Sequence, residues 1–97
     1  MRHEIVLAPE AVEDLRRLSA RDRSRIRDAL ERHLRLEPGK ESRSSIKRLR
    51  GISRPQYRLR VGDFRVFYDV EEDAVEILAI VPKTHMDDWL KDVGGKP

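Results

Sequence analysis

The feature that most constrains this chain is a pair of short β-type runs joined by the dipeptide Gly62-Asp63. Residues 57–61 and 64–68 are rich in β-branched and aromatic side chains, and the glycine supplies the positive φ of a tight two-residue turn. We therefore predict a hairpin with three cross-strand pairs on one face, since strand side chains alternate with a period of two. The predicted pairs are Val61 with Phe64, Leu59 with Val66, and Tyr57 with Tyr68.

The opposite face of the predicted hairpin is basic. Arg60 lies across from Arg65, and Arg58 lies across from Phe67. Like charges that face each other destabilise a sheet, whereas guanidinium groups match phosphate geometry and an aromatic face can stack a base. Two interpretations stay open at this point: a face that binds phosphate, and a solvated basic face whose charges pair with acidic neighbours elsewhere.

The length and composition limit the possible classes of protein. A chain of 97 residues predicts a single domain, residues 1–97, with one modest core. The absence of cysteine excludes disulfides and zinc–thiolate sites. No apolar run approaches the roughly 18 residues of a membrane span, and the N-terminus lacks the apolar region of a signal peptide. We therefore expect an unexported, soluble protein of the cytoplasm.

The charges are dense and segregated along the chain. Residues 16–65 contain 17 Lys and Arg against six Asp and Glu, while both ends are net acidic. Arginine outnumbers lysine by 16 to 5, a bias that suits phosphate and stacked-base recognition. An arginine-rich genome is the alternative explanation; it accounts for the bias toward arginine but not for the clustering.

Before the hairpin, the pattern predicts one strand and two helices. We predict a short strand over residues 2–7, and then a helix that starts at Pro9 and has an apolar stripe of Val12, Leu15 and Leu18. Ser19 with Asp22 is a capping-box-like start for a second helix, and we expect the two helices to form an antiparallel hairpin on the sheet. The second helix carries outward arginines at Arg21, Arg23, Arg25, Arg27, Arg32 and Arg35. We interpret these arginines mainly as a solvated face, and a secondary role in gripping RNA stays open.

Three further segments complete the predicted architecture. Residues 46–51 form a short basic strand or loop with three candidate RNA-binding side chains, Lys47, Arg48 and Arg50. Ala74 to Val81 is almost continuously apolar, which indicates a central strand covered on both faces. A short last helix follows, with an inner stripe of Met86, Trp89 and Leu90.

The predicted order is β-α-α-β-β-β and then a short helix. This is an α+β domain with a helical hairpin packed on one face of a small antiparallel sheet, and the other face stays partly open. Along that order stand the motifs Ala8–Ala11, Leu49–Gly51, Tyr57–Val66 and Ile77–Ile80. Together they resemble the RelE/ParE superfamily of bacterial and archaeal type II toxins, and the resemblance implies the RelE-like fold over nearly the whole chain.

The resemblance also implies a function and partners. RelE-like toxins enter the ribosomal A site and cut mRNA without a metal or other cofactor, because the 2′-hydroxyl of the RNA attacks the adjacent phosphate. A cognate antitoxin, commonly acidic and partly disordered in its toxin-binding segment, wraps the toxin in a hetero-oligomer. ParE-like members keep the fold but poison DNA gyrase.

Site residues follow from the motif positions. Arg58 and Arg60 match the two basic positions of the family's central strand, and Arg65 matches the arginine after the turn. Their implied role is electrostatic stabilisation of the charge that develops on phosphate. Phe67 beside them is the candidate for stacking a base.

The C-terminal motif departs from the RelE pattern. RelE-like nucleases usually continue after the last strand with a Gly-Arg or His-Arg pair and then a tyrosine, and residues 81–89 contain neither that arginine nor a tyrosine. We predict that Lys83 supplies the missing charge and that His85 exchanges a proton. An exposed, non-catalytic His85 and a Trp89 that serves packing are the alternatives.

Three functions therefore stay open for the sequence. The first is a ribosome-dependent mRNA endoribonuclease, whose activity would depend on Arg58, Arg60 and Arg65. The second is a gyrase poison that acts through protein contacts, and the third is a weakened toxin that acts with its antitoxin as a co-repressor. All three predict an antitoxin partner, and the first adds the ribosome and mRNA.

Overall fold

The computed structural model describes residues 2–94, and its elements follow the predicted order. Five strands and three α-helices are formed within this range, with a 3-10 turn at Lys83–His85 before the last helix. The strands are β1 Glu4–Leu7, β2 Ile46–Arg48, β3 Tyr57–Val61, β4 Phe64–Val70 and β5 Ala74–Pro82. The helices are α1 Pro9–Arg16, α2 Ala20–Leu34 and α3 Met86–Gly94. No helix within residues 2–94 is both long enough and apolar enough to cross a membrane.

The central hairpin forms in the predicted register. All five predicted cross-strand pairs between β3 and β4 are present, including Tyr57 with Tyr68 and Arg60 with Arg65. Gly62 has a φ of 55°, a conformation that only glycine adopts without strain in such a turn. The turn dipeptide therefore fixes which side chains share each face of the sheet.

The sheet is mixed, which corrects the prediction of an antiparallel sheet. The strand order is β1-β5-β4-β3-β2, and β1 runs parallel to β5 while every other pair is antiparallel. The helical hairpin between β1 and β2 carries the chain across the sheet, which allows β1 to lie beside the last strand. The predicted central position of β5 is confirmed, because β5 lies between β1 and β4.

Strand β5 contains a β-bulge, which changes the face of the sheet toward which its side chains point. Tyr68 pairs with Ile77 but Phe67 pairs with Ala79, so Leu78 is an extra residue on β5. Such an extra residue shifts the alternation of side chains between faces. Ile77 therefore points to the same side as Tyr68, whereas Ala79 joins Phe67 on the opposite side.

The main core lies between the helical hairpin and one face of the sheet. Ser19 begins α2 as predicted, since its side-chain oxygen accepts a hydrogen bond from the Asp22 N–H at 3.1 Å. Apolar side chains on the inner sides of α1 and α2 pack against residues of β3, β4 and β5. The buried members of this core include Ala11, Leu15, Ile26, Leu30, Leu34, Leu59, Val66, Tyr68 and Ile77.

A second, smaller core covers the other face of the sheet. Buried Phe67, Ala79 and Val81 pack there against part-buried residues of α3 and the loop after β2, namely Leu49, Met86, Trp89 and Leu90. The indole N–H of Trp89 donates to Glu10 Oε2 at 2.7 Å, which ties α3 to α1. The face that carries the arginines is therefore closed by α3 in its middle.

Candidate functional site

Three arginines lie together on the α3 side of the sheet, and we call them the arginine face: Arg58, Arg60 and Arg65. Arg60 and Arg65 are directly paired across β3 and β4, and Arg58, opposite Phe67, is the next residue of β3 on the same side of the sheet. Lys47 on β2 is paired with Arg58 and adds a fourth cation to the same side. The local sequence places them there, because the turn fixes the register and the strands alternate.

Arg65 is the most buried of these cations, with 9% of its surface exposed. Its Nη1 donates to the backbone carbonyls of Gly62 and Phe64, each at 2.9 Å. Among residues 2–94, no carboxylate lies within 4.0 Å of its guanidinium. Burial, followed by the charges of Arg58 and Arg60, lowers the pKa of Arg65. A bound anion on this face would favour the charged form of Arg65, and would thus counteract both its burial and the repulsion from Arg58 and Arg60.

Arg58 carries a polar atom without a partner. Its Nε is buried and makes no hydrogen bond within residues 2–94. A buried donor that lacks an acceptor costs roughly 1–3 kcal/mol. A phosphate oxygen is an acceptor of the charge and geometry that guanidinium groups prefer.

Phe67 does not present its ring as a stacking platform, which corrects the prediction for this residue. Its side chain is fully buried, and its ring stacks on that of Trp89 with centroids 4.6 Å apart and planes 12° apart. The face of the Phe67 ring is therefore covered by a side chain of α3. Trp89 has the packing role that the sequence offered as an alternative.

The basic residues of β2 and the loop after it are divided between the two sides of the sheet. Arg48 is paired with Tyr57, on the helical side. Its Nη1 donates to the Tyr57 hydroxyl at 3.1 Å, and its guanidinium carbon lies 5.1 Å from the centre of the Tyr57 ring. Arg50 is exposed in the loop after β2. Of these three candidates, only Lys47 is placed on the arginine face by strand pairing.

The two C-terminal candidates lie apart from each other. The Lys83 N–H donates to the Asp63 carbonyl at 2.8 Å, so Lys83 lies beside the hairpin turn next to the arginine face. His85 is exposed and lines a cavity of about 270 Å3 together with Asp14 and Arg17. Burial raises the pKa of Asp14 in that cavity. The structure therefore brings Lys83, and not His85, to the end of the hairpin that carries Arg60 and Arg65.

One charged cluster at the border of the site was missed by the sequence analysis. Arg54 Nε donates to Asp69 Oδ2 at 2.7 Å, and Arg54 Nη2 donates to Glu76 Oε1 at 2.6 Å. The Gln56 N–H donates to Asp69 Oδ1 at 2.8 Å. These bonds hold the segment before β3 against β4 and β5. An acidic residue inside an apolar strand was the signal for it, because a buried carboxylate requires a cation or N–H partners.

No group of three or more His, Asp or Glu side chains within residues 2–94 is placed to hold a metal ion. The charged groups on the arginine face are the guanidinium groups of Arg58, Arg60 and Arg65 and the neighbouring ammonium group of Lys47. Such groups bind and orient phosphate and stabilise negative charge that develops on it.

Comparisons with known proteins agree with this fold. The sequence profile described as the ParE toxin of the type II toxin–antitoxin system parDE matches residues 5–86. No curated protein sequence matches the chain significantly.

Solved structures also match across most of the chain. The archaeal RelE–RelB complex from Pyrococcus horikoshii is 28% identical, with 86% of this chain and 97% of that chain covered and a TM-score of 0.64. The toxin–antitoxin complex RelBE2 from Mycobacterium tuberculosis is 22% identical, with 84% and 99% covered and a TM-score of 0.66. The isolated RelE toxin of E. coli is 13% identical, with 94% and 99% covered and a TM-score of 0.63. The chain therefore belongs to the ParE toxin family of type II toxin–antitoxin systems, within the RelE/ParE superfamily.

Proposed function

We propose that this toxin is a metal-independent, ribosome-dependent mRNA endoribonuclease whose arginine face binds RNA phosphate. The observation that carries the proposal is the pairing of Arg60 with Arg65 beside Arg58, with Arg65 nine-tenths buried and without a carboxylate partner among residues 2–94. Like charges held this way destabilise a sheet unless an anion lies among them. The 28% identical relative from Pyrococcus horikoshii, whose structure is that of a RelE–RelB complex, supports the RelE side of the superfamily.

The proposed reaction uses a nucleophile within the substrate. The 2′-hydroxyl of a ribose loses its proton to water, and its oxygen forms a bond to the adjacent phosphorus as the bond from phosphorus to the 5′ oxygen breaks. The 5′ oxygen takes up a proton from water, which leaves a cyclic phosphate and a 5′-hydroxyl. Arg58, Arg60 and Arg65 hold the phosphate and stabilise the additional negative charge of the transition state. Lys83 supplies a further positive charge from beside the hairpin turn. His85 lies in a separate cavity, so we assign its proposed proton transfer no place in this arrangement.

An antitoxin is the proposed protein partner. The solved relatives from Pyrococcus horikoshii and Mycobacterium tuberculosis are toxin–antitoxin complexes. The basic residues 16–65 suit an acidic, partly disordered segment that folds as it binds. We propose a toxin–antitoxin hetero-oligomer in the cytoplasm, where the freed toxin meets translating ribosomes.

A gyrase poison is the second candidate, and two observations favour it. The profile that matches the chain is that of ParE toxins, and the usual C-terminal arginine and tyrosine of RelE-like nucleases are absent. In this case the arginine face would bind protein rather than RNA. The distinguishing signs are trapped gyrase–DNA complexes and intact mRNA.

The test is induction of the toxin in cells that lack the antitoxin, followed by mapping of mRNA 5′ ends. We expect new ends at codon-phased positions, and we expect Arg60→Gln and Arg65→Gln to remove both the new ends and the growth arrest. Arg27→Gln, an exposed helix arginine outside the site, is the matched control and should leave both unchanged. Growth arrest that persists in both folded site variants would refute the proposal. Absence of arrest by the unsubstituted chain, alongside tight antitoxin binding, would instead support a co-repressor.

A further inference from the structure

A second basic cluster lies where α2 meets the end of β3 that extends past β2. A concavity of about 310 Å3 is present there, and we call it the α2 pocket. Its lining residues are Arg25, Asp28, Ala29, Arg32, His33, Arg60 and Val61. The five that belong to α2 follow helical spacing, so they form one stripe of that helix.

The arginines of the α2 pocket differ from several other arginines of the described part of the chain in that they form no ion pair there. Arg16, Arg35 and Arg54 each form an ion pair with Glu or Asp. Within residues 2–94, no ion pair involves Arg25, Arg32 or Arg60, although Asp28 lines the same pocket. The arginines that line this concavity are suited to an anion from outside the chain, because the planar forks of guanidinium groups match phosphate oxygens.

The α2 pocket and the arginine face meet at the hairpin turn. Arg60 belongs to both. The guanidinium of Arg25 lies over Gly62, where a side-chain Cβ would be 2.7 Å from Arg25 Nη2. The carbonyl of the same glycine accepts from Arg65 Nη1 at 2.9 Å. A polymer of phosphates is the ligand that fits two basic sites connected in this way.

We propose that the α2 pocket binds an RNA phosphodiester and extends the arginine face across the Gly62-Asp63 turn. This inference rests on the RNA-binding role proposed above. An acidic protein segment is the less suitable occupant of this pocket. Arginine clusters do recognise acidic motifs, but a segment that folds as it binds also needs apolar pockets for its anchor residues. The apolar lining residues of the α2 pocket are Ala29 and Val61, both small.

The test measures RNA affinity rather than cleavage. The purified toxin is titrated, by fluorescence anisotropy at several salt concentrations, into a labelled single strand of about 12 nucleotides and into a labelled RNA hairpin. The double variant Arg25→Gln/Arg32→Gln is compared with Arg16→Gln/Arg27→Gln. The control pair removes the same charge from helix residues that line a different cavity. Circular dichroism shows whether each variant is folded.

We expect Arg25→Gln/Arg32→Gln to raise the Kd for RNA about tenfold and to reduce the slope of log K against log salt by about 1.4, the loss of two phosphate contacts on a single strand. The control pair should change the Kd by less than about threefold. If the double variant loses more affinity for the single strand, the pocket is assigned to message-like RNA. If it loses more affinity for the RNA hairpin, the pocket is assigned to structured RNA such as ribosomal RNA.

Three outcomes would overturn the inference: equal losses in both double variants, no loss in either, or no RNA binding by the unsubstituted toxin. Displacement of RNA by a poly-glutamate peptide, at lower concentration than unlabelled RNA and dependent on Arg25 and Arg32, would overturn it in favour of an acidic protein segment. The nuclease activity is tested separately by mapping mRNA ends in cells. Failure of the α2 pocket inference can therefore be distinguished from failure of the proposed function.

Discussion

Arg65 and Tyr68 show, at the scale of single residues, how one strand supplies both faces of the sheet. Arg65 turns toward α3 and Tyr68 turns toward the helical hairpin, because the two are separated by an odd number of positions on β4. The guanidinium of Arg65 is held by two backbone carbonyls, and the hydroxyl of Tyr68 donates to the Pro38 carbonyl at 2.7 Å. Each of these two polar groups is thus held by hydrogen bonds to backbone carbonyls.

Removal of the Tyr68 hydroxyl should destabilise the fold and change its response to alkali. Tyr68→Phe leaves the Pro38 carbonyl without its donor, so we expect a loss of about 1–3 kcal/mol in the free energy of unfolding at pH 8. Burial raises the pKa of Tyr68 above its usual value. Folded Tyr68 therefore stays neutral while the unfolded side chain ionises, and its contribution is fully present below about pH 10 and declines as the pH rises further.

The measurement is urea unfolding of both proteins from pH 8 to pH 11. The stability of the unsubstituted chain should fall more steeply above about pH 10 than that of Tyr68→Phe, which has no phenol at this position. Parallel curves for the two proteins would show that ionisation of Tyr68 is not linked to folding.

At the scale of secondary-structure elements, α3 decides how much of the sheet beside the arginine face is exposed, because it packs on Phe67. The helix places Trp89 on Phe67 and joins α1 through the bond from the Trp89 indole to Glu10. The cations of the arginine face consequently lie beside apolar residues that α3 covers. Lys83 lies between β5 and α3 in the chain.

Trp89→Ala should destabilise the protein by about 2–4 kcal/mol, because it removes a large aromatic contact and uncovers the ring of Phe67. Lys91→Ala on the same helix is the matched control, since Lys91 is exposed, and its effect should stay within about 0.5 kcal/mol. Chemical denaturation followed by circular dichroism compares the two. Equal midpoints for both variants would contradict the packing role of Trp89.

The parts of the site that depend on local signals could be predicted from the sequence. Gly62-Asp63 determined the register, and the register placed Arg58, Arg60 and Arg65 on one side. The stacking of Trp89 on Phe67 could not be predicted, because it joins positions far apart in the chain and helical periodicity does not specify which sheet residue a stripe covers. The parallel direction of β1 was missed for a similar reason, since alternation of side chains is the same in either direction.

At the scale of the whole molecule, the basic stretch of the sequence contributes residues to both basic sites. The basic residues 16–65 include α2, β2 and β3, which place Arg25 and Arg32 around one pocket and Arg58 and Arg60 on one strand. The C-terminal segment is net acidic, yet Lys83 lies beside the hairpin turn. Cations from separate elements thus converge on the Gly62-Asp63 turn, and the proposed RNA binding depends on this convergence.

The most direct test of the central proposal uses purified toxin, ribosomes programmed with a single mRNA, and primer extension to detect cleavage. A parallel reaction contains DNA gyrase and supercoiled plasmid. We predict cleavage of the ribosome-bound mRNA, a rate about 100- to 1000-fold lower for Arg65→Gln, and an unchanged rate for Arg27→Gln. We expect Arg65→Lys to recover only part of the rate, because an ammonium group lacks the planar fork of guanidinium. Intact mRNA together with trapped gyrase–DNA complexes would contradict the nuclease proposal and make the arginine face a protein-binding surface.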